Sequence, residues 1–149
     1  MNRLIPAYKY QARLSLLPVL AQGLLTELRG VRVPDCVIAM PLHSSRLRER
    51  GFNQSAELAR HLARALDLTL ALDRVARIHP APPQAKQNRK ERQRQVRGAF
   101  AVTGEVAGLH VAVVDDVMTT GASLNELART LKQAGARRVD CWVLARTPD

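Results

Sequence analysis

Aromatic residues are nearly missing from this 149-residue sequence: Tyr8, Tyr10, Phe52, Phe100 and Trp142 make up 3% of it. So few rings cannot build the row of stacking platforms on which single-strand binders lay successive bases. Cysteine is equally scarce. Cys36 and Cys141 stand far apart and outside any CxxC spacing, which excludes a disulfide framework and a four-ligand zinc site within the chain. Both read as small hydrophobes packed in a sheet, with no Cys–His arrangement for thiol chemistry. No apolar run approaches the ~20 residues of a membrane span. Arg3, Lys9 and Arg13 ahead of Leu14 to Ala21, with Val19 and Ala21, imitate an export signal. Pro18 interrupts that stretch, however, and Leu24, Leu25 and Leu28 continue a helical period with Leu14, Leu17 and Ala21, as a core-facing helix does. The expected location is the cytoplasm. Acids are also few, 13 against 23 Lys and Arg, for a net charge of +10 that favours polyanionic partners without naming one.

At this length, with 46% hydrophobic residues, residues 1–149 are expected to form a single domain with a real core. Cys36-Val37-Ile38-Ala39-Met40, closed by Pro41, reads as a strand buried on both faces. A polar, Arg-rich loop is expected next. Asn53 or Ser55 can then cap a helix with Leu58, Ala59, Leu62, Ala63 and Leu66 inward. Leu70 to Ile78 reads as a weaker strand, stopped by Pro80, Pro82 and Pro83. From Lys86 to Arg97 six cations face one acid, Glu91, with hardly an apolar residue, so this stretch reads as an exposed loop or solvated helix. Phe100 to Thr103 suggests a short strand and His110 to Val114 a strong one. Ser123 to Gly135 reads as a helix with Leu124, Leu127, Ala128 and Leu131 inward, and Val139 to Ala145 as a last strand. This alternation predicts an α/β fold: a mostly parallel, twisted sheet with helices on both faces.

The chemistry concentrates in Val111-Ala112-Val113-Val114-Asp115-Asp116-Val117-Met118-Thr119-Thr120-Gly121-Ala122-Ser123, where an apolar strand meets two acids and a small, hydroxyl-rich turn opens a helix. Backbone N–H groups at the helix start, with the hydroxyls of Thr119, Thr120 and Ser123, can surround a phosphate, and Gly121 lets the backbone approach closely. Asp115 and Asp116 can accept hydrogen bonds from a sugar's vicinal hydroxyls. Phosphate and diol side by side describe a ribose 5-phosphate. The turn is neither a P-loop, since no Gly-Lys-Ser/Thr follows, nor a dinucleotide fingerprint.

This segment resembles the phosphoribosyl pyrophosphate (PRPP) signature of the type I phosphoribosyltransferases. Pro41-Leu42-His43-Ser44-Ser45-Arg46-Leu47-Arg48-Glu49-Arg50-Gly51-Phe52-Asn53-Gln54, and Gln84 through Arg92 to Gly98-Ala99-Phe100, narrow the resemblance to the ComF-like branch, associated with competence and DNA uptake. Tyr8-Lys9-Tyr10 and Ala145-Arg146 also resemble that branch. Relatives of this kind begin with a cysteine-rich, zinc-binding segment that this sequence does not carry, so it reads as a short member or a fragment. Gln87 and Gln95 replace the Leu and Asn of the pattern before Phe100, and Met118 is unusual beside Val117.

The resemblance implies the type I fold with a small hood from residues 1–12 and a mobile basic loop over residues 79–99. It implies Mg²⁺ carried by PRPP and supported by Asp115 and Asp116, with no direct protein metal site. Asp115, Asp116, Thr119, Thr120, Gly121, Ala122 and Ser123 would bind the ribose and its 5-phosphate. Leu42, His43, Ser44, Ser45, Arg46 and Arg50 would bind pyrophosphate, with a cis or otherwise unusual peptide among Leu42 to Ser45 orienting amides toward it. Arg46, Lys86, Arg89 and Arg92 are the cations expected to meet the leaving group. The implied partners are PRPP and pyrophosphate, an unnamed nitrogen acceptor, nucleic acid through the basic stretch, a second copy of the chain, and no membrane. The implied activity is transfer of the ribosyl 5-phosphate to a nitrogen nucleophile; the alternative is a non-catalytic PRPP- or nucleotide-binding module acting in DNA uptake. Some purine-salvage relatives carry a carboxylate where Thr119 stands, and a threonine cannot take a proton at neutral pH, which argues against oxopurine salvage. His43, His61, His79 and His110 are scattered, and only His43 falls in a proposed site loop.

Overall fold

In the computed structural model, which describes residues 14–81 and 88–147, four strands form one parallel sheet in the order β2-β1-β5-β6. They are β1 (Cys36–Ala39), β2 (Thr69–Leu70), β5 (His110–Met118) and β6 (Arg138–Arg146). Two shorter strands, β3 (Val75–Arg77) and β4 (Phe100–Val102), pair antiparallel in a separate ribbon. The helices are α1 (Leu17–Glu27), α2 (Ser44–Arg50), α3 (Gln54–Ala65), α4 (Arg89–Val96) and α5 (Ala122–Gln133).

Strand alternation sorts the core into two layers. Cys36, Ile38, Val111 and Val113 face α5 and the β3–β4 ribbon, where Leu124, Leu127, Leu131, Val75 and Phe100 are buried. Val37, Ala39, Ala112 and Val114 face α1 and α3, against Ala21, Leu24, Leu58, Ala59 and Leu62. Burying one such leucine stabilises the fold by about 1.5–3 kcal/mol, so β1 and β5, apolar on both faces, take the centre. From this pair the chain diverges. It leaves β1 through α3 to reach β2, and leaves β5 through α5 on the opposite face to reach β6. The strand order therefore reverses between β1 and β5, and in open α/β sheets the crevice at the carboxyl ends of such a pair is where ligands bind.

Several expectations need correction. The Arg-rich loop after Pro41 is largely helix α2: His43 caps it by accepting from the Ser45 N–H, and Gly51 ends it in the left-handed region at φ 79°. The peptide bonds of the described residues are all trans. A regular capped helix start already orients the amides around Ser44 and Ser45 without an unusual bond. The weak strand over 70–78 splits, because the chain turns through a 3-10 segment, Leu72–Arg74, after Ala71 donates to the Val37 carbonyl. Part of the basic stretch over 79–99, a mobile loop in the resemblance, is helix α4, the solvated-helix alternative of the residue reading. Asn88 and Glu91 close a reciprocal capping box at its start, Val96 is buried at its end, and the Gly98 N–H donates to Glu126 of α5 at 3.0 Å. Cys141 is exposed rather than packed, because β6 is an edge strand; Cys36 is buried as expected. The proposed hood segment lies outside the described residues. No helix among the described residues is long and apolar enough to cross a membrane.

Candidate active site

β5 outruns β1. Ala39, the last residue of β1, pairs with Val114, and Met40 donates one further bond to the Val114 carbonyl at 2.8 Å. Beyond that point Asp115, Val117 and Met118 are in register with β6, and β5 runs on to Met118, so the acids lie within the strand rather than after it. On the side that β1 has left, the Asp116 N–H donates to Asp115 Oδ1 at 2.9 Å; the Val117 N–H donates to Asp116 Oδ1 at 2.8 Å. Asp116 is buried.

The start of α3 supports Asp115 from across the end of β1. Asn53 is the helix cap: its Oδ1 accepts from the N–H groups of Ser55 and Ala56, while its Nδ2 donates to the Met40 carbonyl at 3.1 Å. With the capping role filled, the Ser55 hydroxyl is free to donate to Asp115 Oδ1 at 3.0 Å. Burial, then the neighbouring Asp116 charge, push the Asp115 carboxyl up to about 7 against the pull of that hydroxyl. Arg77 on β3 is the nearby counter-charge. Burial pulls its guanidinium down and Asp115 pushes it back up; Arg77 lies over the Phe100 ring at 5.2 Å and donates to the His79 carbonyl. Ser55 was legible only as a candidate cap, and Arg77 carried no motif at all.

After Met118 the chain turns through Thr119 and Thr120, the first exposed and the second half-buried. Gly121 sits at φ 78° and starts α5 without a side-chain cap. Thr120 Oγ1 accepts from the Ala122 N–H at 3.3 Å, and the next N–H groups, of Ser123 and Leu124, have no side-chain acceptor among the described residues. Open N–H groups at the positive end of a 12-residue helix, flanked by hydroxyls, suit a phosphate.

The structure therefore joins Asp115, Asp116 and Thr119 to Ser123 in one continuous strand, turn and helix. Leu42 to Ser45 leave the same sheet edge from the adjacent strand, though His43 Nδ1 and the Ser45 hydroxyl are engaged with each other at 2.8 Å. Arg46 and Arg50 lie on α2, where Arg46 is 3.6 Å from Glu49. Arg89 and Arg92 lie on α4 and make no ion pair or side-chain hydrogen bond to the acids or the turn among the described residues. Lys86 lies outside the described residues.

The comparisons decide the family. Residues 53–149 match the phosphoribosyl transferase domain. This chain is a member of the phosphoribosyltransferase family. It falls in the ComF-like branch: it is 34% identical to the DNA utilization protein YhgH of Salmonella typhimurium over 99% of this chain and 67% of that protein. It is 32% identical to competence protein F of Haemophilus influenzae, over 98% of this chain and 68% of that one. The fold agrees with solved phosphoribosyltransferases. Adenine phosphoribosyltransferase from Thermoanaerobacter pseudethanolicus aligns over 92% of this chain and 83% of its own, with TM-score 0.58 and 14% identity. The purine phosphoribosyltransferase of Pyrococcus horikoshii aligns over 89% and 82%, with TM-score 0.54 and 18% identity.

Magnesium usually binds through one or two carboxylates together with substrate phosphates. No group of three or more His, Cys, Asp or Glu that could cage an ion occurs among the described residues, whereas two adjacent acids stand at the candidate site. The residues present fit an ion that arrives on a pyrophosphate, with Asp115 and Asp116 in support.

Proposed function

We propose that this protein binds PRPP at the carboxyl ends of β1 and β5 and transfers its ribosyl 5-phosphate to a nitrogen nucleophile, releasing pyrophosphate. The observation that supports this reading most is the placement of two acids and an open, glycine-started helix on one strand-turn-helix unit beside the point where strand order reverses. In this reading the turn from Thr119 to Ser123 holds the 5-phosphate. Asp115 and Asp116 accept from the ribose hydroxyls, Asp115 being steadied by Ser55. Leu42 to Ser45 offer amides to the pyrophosphate, and Arg46, with Arg50, Lys86, Arg89 and Arg92, supplies positive charge as the C1–O bond breaks and the electron pair leaves with pyrophosphate. A magnesium ion bound there would offset the leaving group's negative charge. The C1–N bond then forms from the nucleophile's lone pair. Thr119 cannot act as a base at neutral pH, which favours a nucleophile that attacks as a neutral amine.

A second reading has its own support in the relatives' names, DNA utilization protein and competence protein, and in the cationic face of α4. In it the same pocket senses PRPP or a nucleotide without turnover while the basic surface engages nucleic acid. Incubating the purified chain with PRPP, Mg²⁺ and a panel of bases and amines, and assaying pyrophosphate, separates the two. Acceptor-dependent release supports transfer. Saturable PRPP binding with no release from any acceptor, together with strongly salt-dependent DNA binding, supports the module.

A further inference from the structure

At the opposite, amino edge of the sheet lies a second cleft that the proposed chemistry does not use. It is open, has a volume of about 430 Å³, and is lined by Arg32, His110, Lys132, Arg137, Arg138 and Asp140, with Ala128 and Val139 contributing apolar surface. A cleft of this size accommodates a small ligand.

Four cations converge there, and the acids that face them are already engaged. Asp140 accepts from His110 Nε2 through Oδ2 at 2.7 Å and from Arg138 Nε through Oδ1 at 2.9 Å. Burial would raise its carboxyl, but Arg138 and His110 outweigh that and hold it below the usual range, so it stays ionised and paired. Asp35 accepts from the His110 N–H at 2.7 Å and lies 3.6 Å from Arg137. These two carboxylates leave an excess of positive charge, and unused donors to carry it. Arg32 has no ion-pair partner among the described residues, and Arg138 engages Asp140 through Nε alone. Lys132 spends one donor on the Arg137 carbonyl at 2.9 Å. Planar guanidinium forks beside an ammonium match the oxygens of linked phosphates.

We infer that this cleft is a second anion site, separate from the PRPP site, that takes the linked phosphates of a small di- or triphosphate ligand. Its position gives it a route to the first site. His110 begins β5 and Ala128 and Lys132 lie on the last turns of α5, the two elements whose other ends carry Asp115, Asp116 and the Thr119 to Ser123 turn.

The test is calorimetric titration of the whole chain with inorganic tripolyphosphate. A Thr120→Glu variant, which places a negative charge in the proposed phosphate turn, isolates the second cleft. The expected result is that Thr120→Glu still binds one tripolyphosphate, and that adding Arg32→Glu weakens this binding at least tenfold while adding Arg94→Gln, a cation on α4, changes it less than twofold. Arg32 makes no ion pair among the described residues, so its replacement is expected to leave the fold intact, which thermal melting verifies; Lys132→Gln added in place of Arg32→Glu gives an independent weakening. Equal effects of the Arg32 and Arg94 replacements would overturn the inference, as would tenfold tighter binding of a single-stranded oligonucleotide that Arg32→Glu abolishes. Loss of all binding in Thr120→Glu alone would assign the anion to the PRPP turn and remove the second site. Failure of the PRPP reading shows separately, in a titration with PRPP itself, as wild-type affinity that Thr120→Glu leaves unaltered.

Discussion

Replacing Asp115 by Asn is expected to stabilise the ligand-free protein above neutral pH, even though it removes a residue assigned to ligand binding. The folded protein raises the Asp115 carboxyl from 3.8 to about 7, chiefly by burial and then by the Asp116 charge. A carboxyl raised on folding holds its proton in the native state over a range where the unfolded chain has lost it. Native protein therefore binds more protons than unfolded protein between about pH 4 and 7, and stability falls as pH rises through that window. The slope is about 1.4 kcal/mol per pH unit at most, so the full penalty at pH 8 is on the order of 4 kcal/mol. Asparagine keeps an oxygen to accept from Ser55 and from the Asp116 N–H, but carries no charge to desolvate. Urea unfolding of both proteins at pH 4, 5, 6, 7 and 8 is the assay. Asp115→Asn should match wild type at pH 4 and exceed it by about 2–4 kcal/mol at pH 8. A stability difference that stays constant across the series would refute a buried, charge-strained Asp115.

Ser55→Ala removes the one side-chain hydroxyl among the described residues that donates to Asp115 and should cost about 1–2 kcal/mol, more at pH 8 than at pH 5, because the bond favours the ionised acid; the same urea series measures it. Gly121→Ala forces a side chain into the left-handed region at φ 78° and should lower stability by about 1–2 kcal/mol, seen as a reduced midpoint in thermal or urea melts, and weaken PRPP binding in calorimetry. Asn88→Ala opens the capping box of α4 and should cost about 1 kcal/mol, appearing as faster amide hydrogen exchange over Arg89 to Arg94 with little change in α5.

What could be read from the sequence was what repetition and burial write into it. β1, the His110 to Val114 part of β5, α3 and α5 carry apolar runs or stripes, so their type and place were legible; that β5 runs on through Asp115 and Asp116 to Met118 was not, because the acids break the run. The same holds for the strand-turn-helix that bears the acids. α2 was not legible, because it buries none of its seven residues and so leaves no stripe; it forms because His43 caps one end and Gly51 the other. The strand over 70–78 divided because Leu70 and Val75 belong to different sheets, a distinction that composition does not encode. Around the site, the links from Ser55 and from Arg77 to Asp115 span 60 and 38 positions, and no local spacing announces them. Arg89 and Arg92 were assigned by the resemblance to a mobile basic loop and by charge, neither of which fixes what they face on helix α4.

In the proposed function the two acids recognise a ribose rather than merely border an anion site. Calorimetry of the Asp115→Asn, Asp116→Asn double variant against PRPP, with inorganic pyrophosphate as the ligand that lacks the sugar, tests it most directly. Removing two negative charges from beside an anion should, by electrostatics alone, tighten both ligands. Loss of ionised acceptors for the ribose hydroxyls, each worth roughly 1.5–3 kcal/mol, instead predicts PRPP binding at least about tenfold weaker, with pyrophosphate unchanged or tighter. PRPP affinity that is unchanged or improved in the folded double variant would contradict the account.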